Sequence, residues 1–325
     1  MSNRTKILLV VVGVLAVGAA AFLLVNRTTS QKANPVFGKL PPPTLEGSAN
    51  LSNRSIEIGL KSREETQKLL AVYKLEKRTL SISEAKNLAK KFGFENEPQG
   101  KDVLLWKVGK QTLSIKLSPP KLEFTDFNVG GAGQISNKDG LVDKAEVFLQ
   151  EKGLIKDDLL VDRANTRAYT AKGNELFLAP NQAEEAILEV GFNRMVDSFP
   201  VLFSDPTMPA ATVLLNENGE IFKLIYLDFG TTTDSGQYPI VQRKEIGTEK
   251  IASLGTLVYP KIGDTIFDPS LIRKFVIEDA SLCYLDDQVS AYFTPIYVLR
   301  GSAQAGKETT PVVIYLPAVS VGWFK

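Results

Sequence analysis

Ser83 and Lys86 have the S-x-x-K spacing of serine acyl-enzymes, in which the serine is the nucleophile and a lysine helps to deprotonate it. The companion motifs S-D-N and K-T-G are absent from the chain. On a helical wheel both residues lie opposite the apolar residues, so nothing desolvates Lys86 enough to make it a base. Ser81 and Glu84 instead have the spacing of a capping box, which predicts a helix within 81–94. The predicted buried face of this helix consists of Ile82, Ala85, Leu88, Ala89 and Phe92.

Two other stretches resemble nucleotide-binding motifs but lack the context that those motifs need. Asp228-Phe229-Gly230 spells the magnesium-binding triplet of protein kinases, yet no catalytic loop or lysine-bearing strand accompanies it. We interpret it as the end of a strand that enters a loop. Residues 131–136, GAGQIS, approximate the dinucleotide fingerprint, but residues 137–140 separate them from the next helix. We therefore predict a junction there and no cofactor site.

Acidic and aromatic residues supply the remaining candidates. Adjacent carboxylates do not establish the opposed pair that glycosidase chemistry requires, and we interpret them as surface or turn residues. These pairs are Asp157-Asp158, Glu184-Glu185 and Asp286-Asp287. Four aromatic residues fit either core packing or a groove for a glycan or peptide, namely Tyr284, Tyr292, Phe293 and Tyr297. The sequence thus predicts no catalytic, cofactor-binding or metal-binding residue and leaves the binding residues undefined.

The composition excludes several classes of chemistry. The 325 residues include no histidine and one cysteine, Cys283, which excludes Ser-His-Asp and Cys-His catalysis, His/Cys zinc sites and internal disulfides. Cys283 lies in the apolar run ASLCYL, which predicts a buried thiol. The net charge of +1 gives no electrostatic reason to expect nucleic acid as a partner.

The N-terminus predicts a membrane anchor. Residues 7–25, ILLVVVGVLAVGAAAFLLV, are long and apolar enough to span a bilayer, since about 20 such residues cover its hydrocarbon core. The apolar run continues past residues 19–21, which disfavours a cleaved signal peptide but leaves that alternative open. We expect residues 1–6 to form a short cytoplasmic head and the bulk of the chain to be exported, with the lipid bilayer as one partner.

The remainder of the chain has the pattern of an α+β protein that follows a linker. Residues 26–50 contain four prolines and predict a Pro-rich stalk. We expect a first α+β domain over 51–128, a junction over 129–140 and a second α+β domain over 141–325, in which two repeated units are one option. The recurring order of a helix and then antiparallel strands predicts two or three units with helices on one face of each sheet.

Two hairpins are the clearest local features. The strands DVLLWKV and QTLSIKL flank Gly109-Lys110, and the stretch 211–229 alternates on both sides of Asn218-Gly219. The stretch AEEAILEVGF fits a short helix or an irregular strand, and its pattern does not separate the two.

The order of these features resembles PepSY-like extracytoplasmic modules of bacteria. The apolar span and the helix SEAKNLAKKFGF followed by short strands carry this likeness. The segments GFNRMVDSFPVLFSDPTMPAATVLLNENGEIFKLIYLDF and ASLCYLDDQVSAYFTPIYVLRG resemble parts of the membrane-anchored YycH/YycI-type regulators of a sensor histidine kinase. The resemblance covers residues 80–127 and 185–320. It implies a non-catalytic module that binds or restrains a partner outside the membrane.

Three functions are compatible with these observations. The first is a non-enzymatic, membrane-anchored interaction or regulatory protein whose partner is an unidentified membrane or envelope protein. The second is an envelope hydrolase that uses carboxylates or the Ser83–Lys86 pair. The third is an inhibitor or chaperone of an exported protease. The lack of a catalytic constellation favours the first, and no cofactor is implied.

Overall fold

The computed structural model describes eight stretches of the chain, which are 33–45, 51–60, 67–76, 79–130, 133–172, 175–260, 271–305 and 308–325. The chain divides into two compact units, Met1–Asn34 and Pro35–Lys325. All the helices and strands named below lie in the second unit.

Three α-helices lie within the described residues, α1 (Ile82–Lys91), α2 (Lys138–Glu151) and α3 (Thr248–Leu254). The predicted capping box at the start of α1 is confirmed. The Ser81 hydroxyl accepts a hydrogen bond from the Glu84 backbone N–H (3.2 Å), and the Glu84 carboxylate accepts one from the Ser81 N–H (2.8 Å). These bonds satisfy two backbone donors that would otherwise lack a partner at the helix start.

The described residues contain sixteen strands, which pair to form one mixed sheet. Their bounds are β1 (Ser55–Ile58), β2 (Leu69–Leu75), β3 (Val103–Val108), β4 (Gln111–Leu117), β5 (Pro120–Asp126), β6 (Leu159–Lys172), β7 (Glu175–Leu178), β8 (Ile187–Val196), β9 (Phe199–Phe203), β10 (Ala211–Asn216), β11 (Ile221–Tyr226), β12 (Thr232–Pro239), β13 (Thr256–Tyr259), β14 (Lys274–Asp286), β15 (Tyr292–Ala305) and β16 (Glu308–Pro317).

Eight of these strands form an antiparallel part of the sheet, in the order β7-β6-β8-β10-β11-β5-β4-β3. Direct cross-strand partners point to the same face, so each row of partners belongs to one side. The helices α1 and α2 pack on one face, whose buried residues form a large core cluster. One row of that core consists of Trp106, Leu113, Phe124, Leu224, Val213 and Val190.

The other strands surround the long hairpin of β14 and β15. β16 pairs with β15, β13 pairs with β16, and β1 and β9 run parallel to β14. β2 joins β15 to β12. A second core cluster fills this part, and α3 packs against β1 and β16. The tight turn between β8 and β9 links the two parts of the sheet, because β9 continues directly alongside β14.

The local predictions that rest on turns and alternation are confirmed. β10 and β11 form the predicted hairpin, and Gly219 has a φ of +81°, which suits a residue without a Cβ. The ambiguous stretch before β8 resolves in favour of the strand: a short 3-10 turn at Gln182–Glu184 precedes β8.

The predicted fold class is wrong. It proposed an N-terminal transmembrane helix, a Pro-rich stalk and two or three separate helix-on-sheet units, whereas the strands join one large mixed sheet with few helices. Local patterns identify strands but do not reveal distant partners, such as the pairing of β5 with β11 or of β9 with β14. The predicted domain bounds 51–128, 129–140 and 141–325 stay predictions, although β5 and β11 pair across the predicted junction.

The prediction of a single-pass membrane protein with an exported bulk is also corrected. No helix in the described stretches has both the length and the apolar character that crossing a membrane requires. Residues 7–25, on which the predicted transmembrane anchor fell, lie outside the described residues.

Residues 35–45 of the predicted stalk belong to the unit Pro35–Lys325 and pack against other residues of that unit. Leu40 is buried; its N–H donates to the Trp323 carbonyl (2.8 Å), and its carbonyl accepts from the Lys325 N–H (2.9 Å). The Thr44 N–H donates to the Asp287 carboxylate (2.9 Å). The backbone groups of an extended Pro-rich segment make no hydrogen bonds within the segment, so they are free to bond to other parts of the chain. Composition indicates the extended conformation but not these contacts, and it therefore suggested a stalk.

The predicted burial of Cys283 is confirmed and leads to a labelling test. Its side chain lies in the core, and this burial raises the pKa of the thiol to about 12. We expect alkylation by iodoacetamide at neutral pH to be at least about a hundredfold slower in the native protein than in urea, because the thiolate is the reacting form. Mass spectrometry reports on this residue alone, since the chain has one cysteine. Equal rates in the two conditions would contradict the packing around β14.

Candidate binding groove

A groove of about 320 Å³ lies on the helix side of the sheet and is more open to solvent than enclosed. Three segments form it: the outer part of α1, the turn at 153–156 that follows α2, and the segment 226–231 that follows β11. Its lining residues are Glu84, Asn87, Leu88, Lys91, Gly153, Leu154, Lys156, Tyr226, Asp228, Phe229 and Thr231.

The ends of α1 and α2 set one wall of the groove. Each helix ends in a Schellman motif, with Gly93 (φ +85°) after α1 and Gly153 (φ +64°) after α2. An added Cβ on Gly153 would lie 2.7 Å from Lys91 Nζ, but this atom ends a flexible side chain that can move aside, so the positive φ is what favours glycine there. Lys152 Nζ donates to the Lys91 carbonyl (2.9 Å) and ties the ends together.

The floor of the groove is apolar. Leu154 and Tyr226 are buried beneath it, and Leu88 and Phe229 are partly exposed and pack on the same core. The rings of Tyr226 and Phe229 meet edge to face with centroids 5.0 Å apart. Such an edge-to-face pair fixes both ring positions and leaves an apolar surface that can take a side chain from a ligand.

A cluster of four charged residues lies beside this floor, and two of its members, Lys156 and Asp228, also line the groove. Lys156 Nζ donates to the Asp228 carboxylate (3.1 Å) and to the carbonyls of Asp228 (2.9 Å) and Gly230 (3.0 Å). Arg194 donates to the carboxylates of Asp158 (2.7 Å) and Asp228 (3.3 Å) and to the Gly230 carbonyl (2.7 Å). The two cations and two carboxylates neutralise one another, which is the condition for keeping charges in a poorly solvated place.

The cluster also connects the two parts of the sheet. The Arg194 guanidinium lies 5.1 Å from the centre of the Phe293 ring, which belongs to β15. The Tyr226 hydroxyl donates to the Asp228 carbonyl (2.8 Å). Burial, and then the charge of Asp228, raise the pKa of Tyr226 well above its usual range. Hydrogen bonds therefore hold these groups in their positions.

The structure places the Ser83–Lys86 pair on the exposed side of α1. Lys86 makes an ion pair with Glu97, and Ser83 is exposed. This position agrees with the packing helix that the sequence predicted.

Asp228 follows β11 at the predicted end of a strand, but its role was missed. The residue is buried at the centre of the charged cluster and lines the groove.

Of the Gly-rich stretch, residues 131 and 132 lie outside the described residues, while the Gly133 N–H donates to the Glu217 carboxylate (2.9 Å). The next helix, α2, starts at Lys138 with Asn137 as its N-cap, so the glycine amides do not form a helix N-terminus.

The paired carboxylates, which were interpreted as surface or turn residues, differ in their exposure. Asp157 and Glu184 are exposed. Glu185 is buried and accepts from Lys138 Nζ (2.7 Å). Asp286 and Asp287 are buried in the turn between β14 and β15, where they accept backbone N–H groups of that turn. Turn residues with several backbone donors can be buried, and sequence adjacency alone does not reveal this.

The four aromatic candidates belong to packed regions. Tyr284, Phe293 and Tyr297 are buried in the core, and the ring of Tyr292 packs on Phe37 with centroids 5.2 Å apart. They do not line the groove.

Comparisons with known proteins give little further information. No family model and no curated protein sequence matches the chain. Among solved structures, the chain is similar to the C-terminal domain of Bacillus megaterium YpeB, with 12% identity and a TM-score of 0.32, over 76% of this chain and 96% of that one. It is also similar to MucB, with 10% identity and a TM-score of 0.11, over 81% and 96% of the two chains. At these scores neither likeness carries an argument about function.

The predicted resemblance to PepSY-like modules therefore stays a prediction, and neither likeness supports the YycH/YycI-type regulators.

Proposed function

We propose that this protein is a non-enzymatic binding module that holds an extended segment of a protein partner in the groove beside α1. The observation that carries the proposal is the apolar floor beside a neutral charged cluster whose members are hydrogen-bonded to one another. Such a floor offers a site for an apolar side chain, while polar groups at the rim, among them Asn87 and Lys91, are available to the backbone of a ligand.

The open form of the groove favours a polypeptide ligand over a small molecule. Pockets for small molecules enclose most of the ligand surface, whereas this groove is more open to solvent than enclosed. A peptide needs only one or two anchoring side chains in a pocket, and the rest of the segment can lie across the surrounding surface. The partner is therefore a protein with an exposed apolar residue in an extended segment.

The carboxylates of the groove fit binding better than hydrolysis. Glu84 and Asp228 both line it, as a hydrolase would require, but neither has the environment of a general acid. Hydrogen bonds from Ser81 lower the pKa of Glu84, whereas a general acid needs a raised one. The two oxygens of Asp228 already accept from Lys156 and Arg194.

Peptide selection on the immobilised protein tests this function. We expect the recovered peptides to share an apolar residue, and we expect Leu88→Arg to weaken their binding at least about tenfold by fluorescence anisotropy, because a charge would occupy the apolar floor. Asn87→Arg, at an exposed position of the same groove, is expected to weaken binding as well without disturbing the core.

Val147→Arg is the matched control, because Val147 is an apolar residue on the exposed side of α2 and lies outside the groove. Its affinity for the same peptides should stay within about twofold of the unsubstituted protein. If the peptides bind Leu88→Arg and Asn87→Arg as tightly as the unsubstituted protein, the groove is not the binding site.

A further inference from the structure

The side of the sheet that faces away from α1 and α2 carries a basic surface, which we call the outer face. It is defined by the residues of β3, β4, β5 and β11 that alternate with the core positions. These strands place four lysines there, Lys107, Lys116, Lys121 and Lys223, with Glu123 on β5 and, within electrostatic range of Lys223, Glu189 on the nearby strand β8. The lysines come from four different strands, so the sequence contains no basic run that would indicate the surface.

Strand register places two of these lysines directly opposite each other. Lys116 of β4 pairs with Lys121 of β5, and Val103 of β3 lies on the other side of Lys116. Like charges directly opposite on neighbouring strands are destabilising. Glu123 accepts from Lys121 (2.6 Å), but no described carboxylate forms an ion pair with Lys116. The arrangement therefore costs stability in the free protein, and an anionic ligand would relieve that cost.

Exposed apolar side chains border the lysines. Val103 is 46% exposed and Leu105 is 43% exposed, and both lie on the outer face of β3. A purely anionic polymer would make no use of these side chains, whereas a peptide that alternates acidic and apolar residues would contact both kinds of group.

The free edge of β3 is protected, which determines how a partner can approach. The N–H of Leu105 donates to the Gln99 carbonyl (2.8 Å), and its carbonyl accepts from the Gln99 N–H (2.9 Å). These bonds occupy the centre of the edge, where an added strand would need them. A ligand must therefore lie over the face of the sheet.

We propose that the outer face docks an acidic polypeptide segment that carries apolar residues, with its carboxylates beside Lys116 and Lys121 and its apolar side chains on Val103 and Leu105. This surface lies on the opposite side of the sheet from the groove. The proposal therefore goes beyond the proposed function and does not depend on what the groove binds.

A fluorescein-labelled dodecapeptide of alternating glutamate and valine is the probe. We expect saturable binding that weakens as salt is added, and we expect Lys116→Glu with Lys121→Glu to weaken it at least about tenfold, because reversal of two charges repels the carboxylates. Lys116→Gln alone is expected to weaken binding while it raises the urea midpoint of unfolding, because it removes the repulsion from Lys121. If Lys116 only stabilised the fold, its replacement would lower the urea midpoint and would not weaken binding of the probe in this way.

The matched control is Lys90→Glu with Lys244→Glu, which changes the net charge equally at two exposed lysines away from the outer face. It should leave the affinity within about twofold. Three results would overturn the proposal: no saturable binding of the probe, equal weakening by the control pair, or tighter binding of inorganic polyphosphate than of the peptide at the same lysines. The last result would identify a general anion surface. The groove variants leave this test unaffected, so its failure and that of the proposed function can be told apart.

Discussion

Arg194→Met is expected to lower the free energy of unfolding by about 3 kcal/mol, the lower end of the range for breaking a buried ion pair. The methionine keeps the apolar stem beside Phe293 but leaves Asp228 with Lys156 as its remaining cation and removes the partner of Asp158. Urea denaturation followed by circular dichroism measures the change. A loss of this size would establish that the charged cluster holds the groove floor in place.

Arg163→Met is the control for this experiment. Arg163 also pairs with an aspartate, Asp139 (3.3 Å), but both side chains are largely exposed. Exposed pairs of this kind contribute little, so we expect a change below about 0.5 kcal/mol. If both arginine variants lose the same free energy of unfolding, burial of the cluster does not explain its contribution to stability.

Trp106→Ala is expected to cost about 3–5 kcal/mol, because it opens a large cavity in the core between the sheet and the helices. The side chain is 1% exposed, and its Nε1–H donates to the Asn96 carbonyl (3.0 Å). The same denaturation experiment measures the loss. We also expect binding at the groove to weaken, because α1 rests on this core.

Leu105→Ala provides the comparison from the adjacent position of the same strand. Leu105 points to the outer face and is partly exposed, so its removal is expected to cost less than about 1 kcal/mol. The pair of variants tests the alternation on which both the core and the outer face depend. A larger loss for Leu105→Ala than for Trp106→Ala would mean that the faces of β3 are assigned the wrong way round.

Local features of the fold could be predicted from the sequence because their causes are local. The Ser81–Glu84 capping box and the turn at Asn218-Gly219 each depend on a few adjacent residues. The connection of the strands could not be predicted, because pairings such as β5 with β11 join residues far apart in the chain. The alternation that identifies a strand does not specify its neighbours.

The candidate site was missed for the same reason. Lys156, Asp158, Arg194 and Asp228 come from three separate stretches, and each reads as an ordinary polar residue when only its neighbours are considered. Asp228 belongs to a triplet that resembles a kinase motif, and the sequence analysis rejected that motif. The triplet gives no indication that Asp228 forms ion pairs with Lys156 and Arg194. The lysines of the outer face are likewise assembled only by strand register.

Mapping of a selected peptide by two-dimensional ¹H–¹⁵N NMR tests the central claim most directly. We predict that the perturbed amides cluster at residues 84–91, 153–156 and 226–231, around the groove, and that the size of the shifts saturates with peptide concentration. Saturable shifts confined to other parts of the chain, or no saturable shifts, would contradict the assignment of the groove as the binding site.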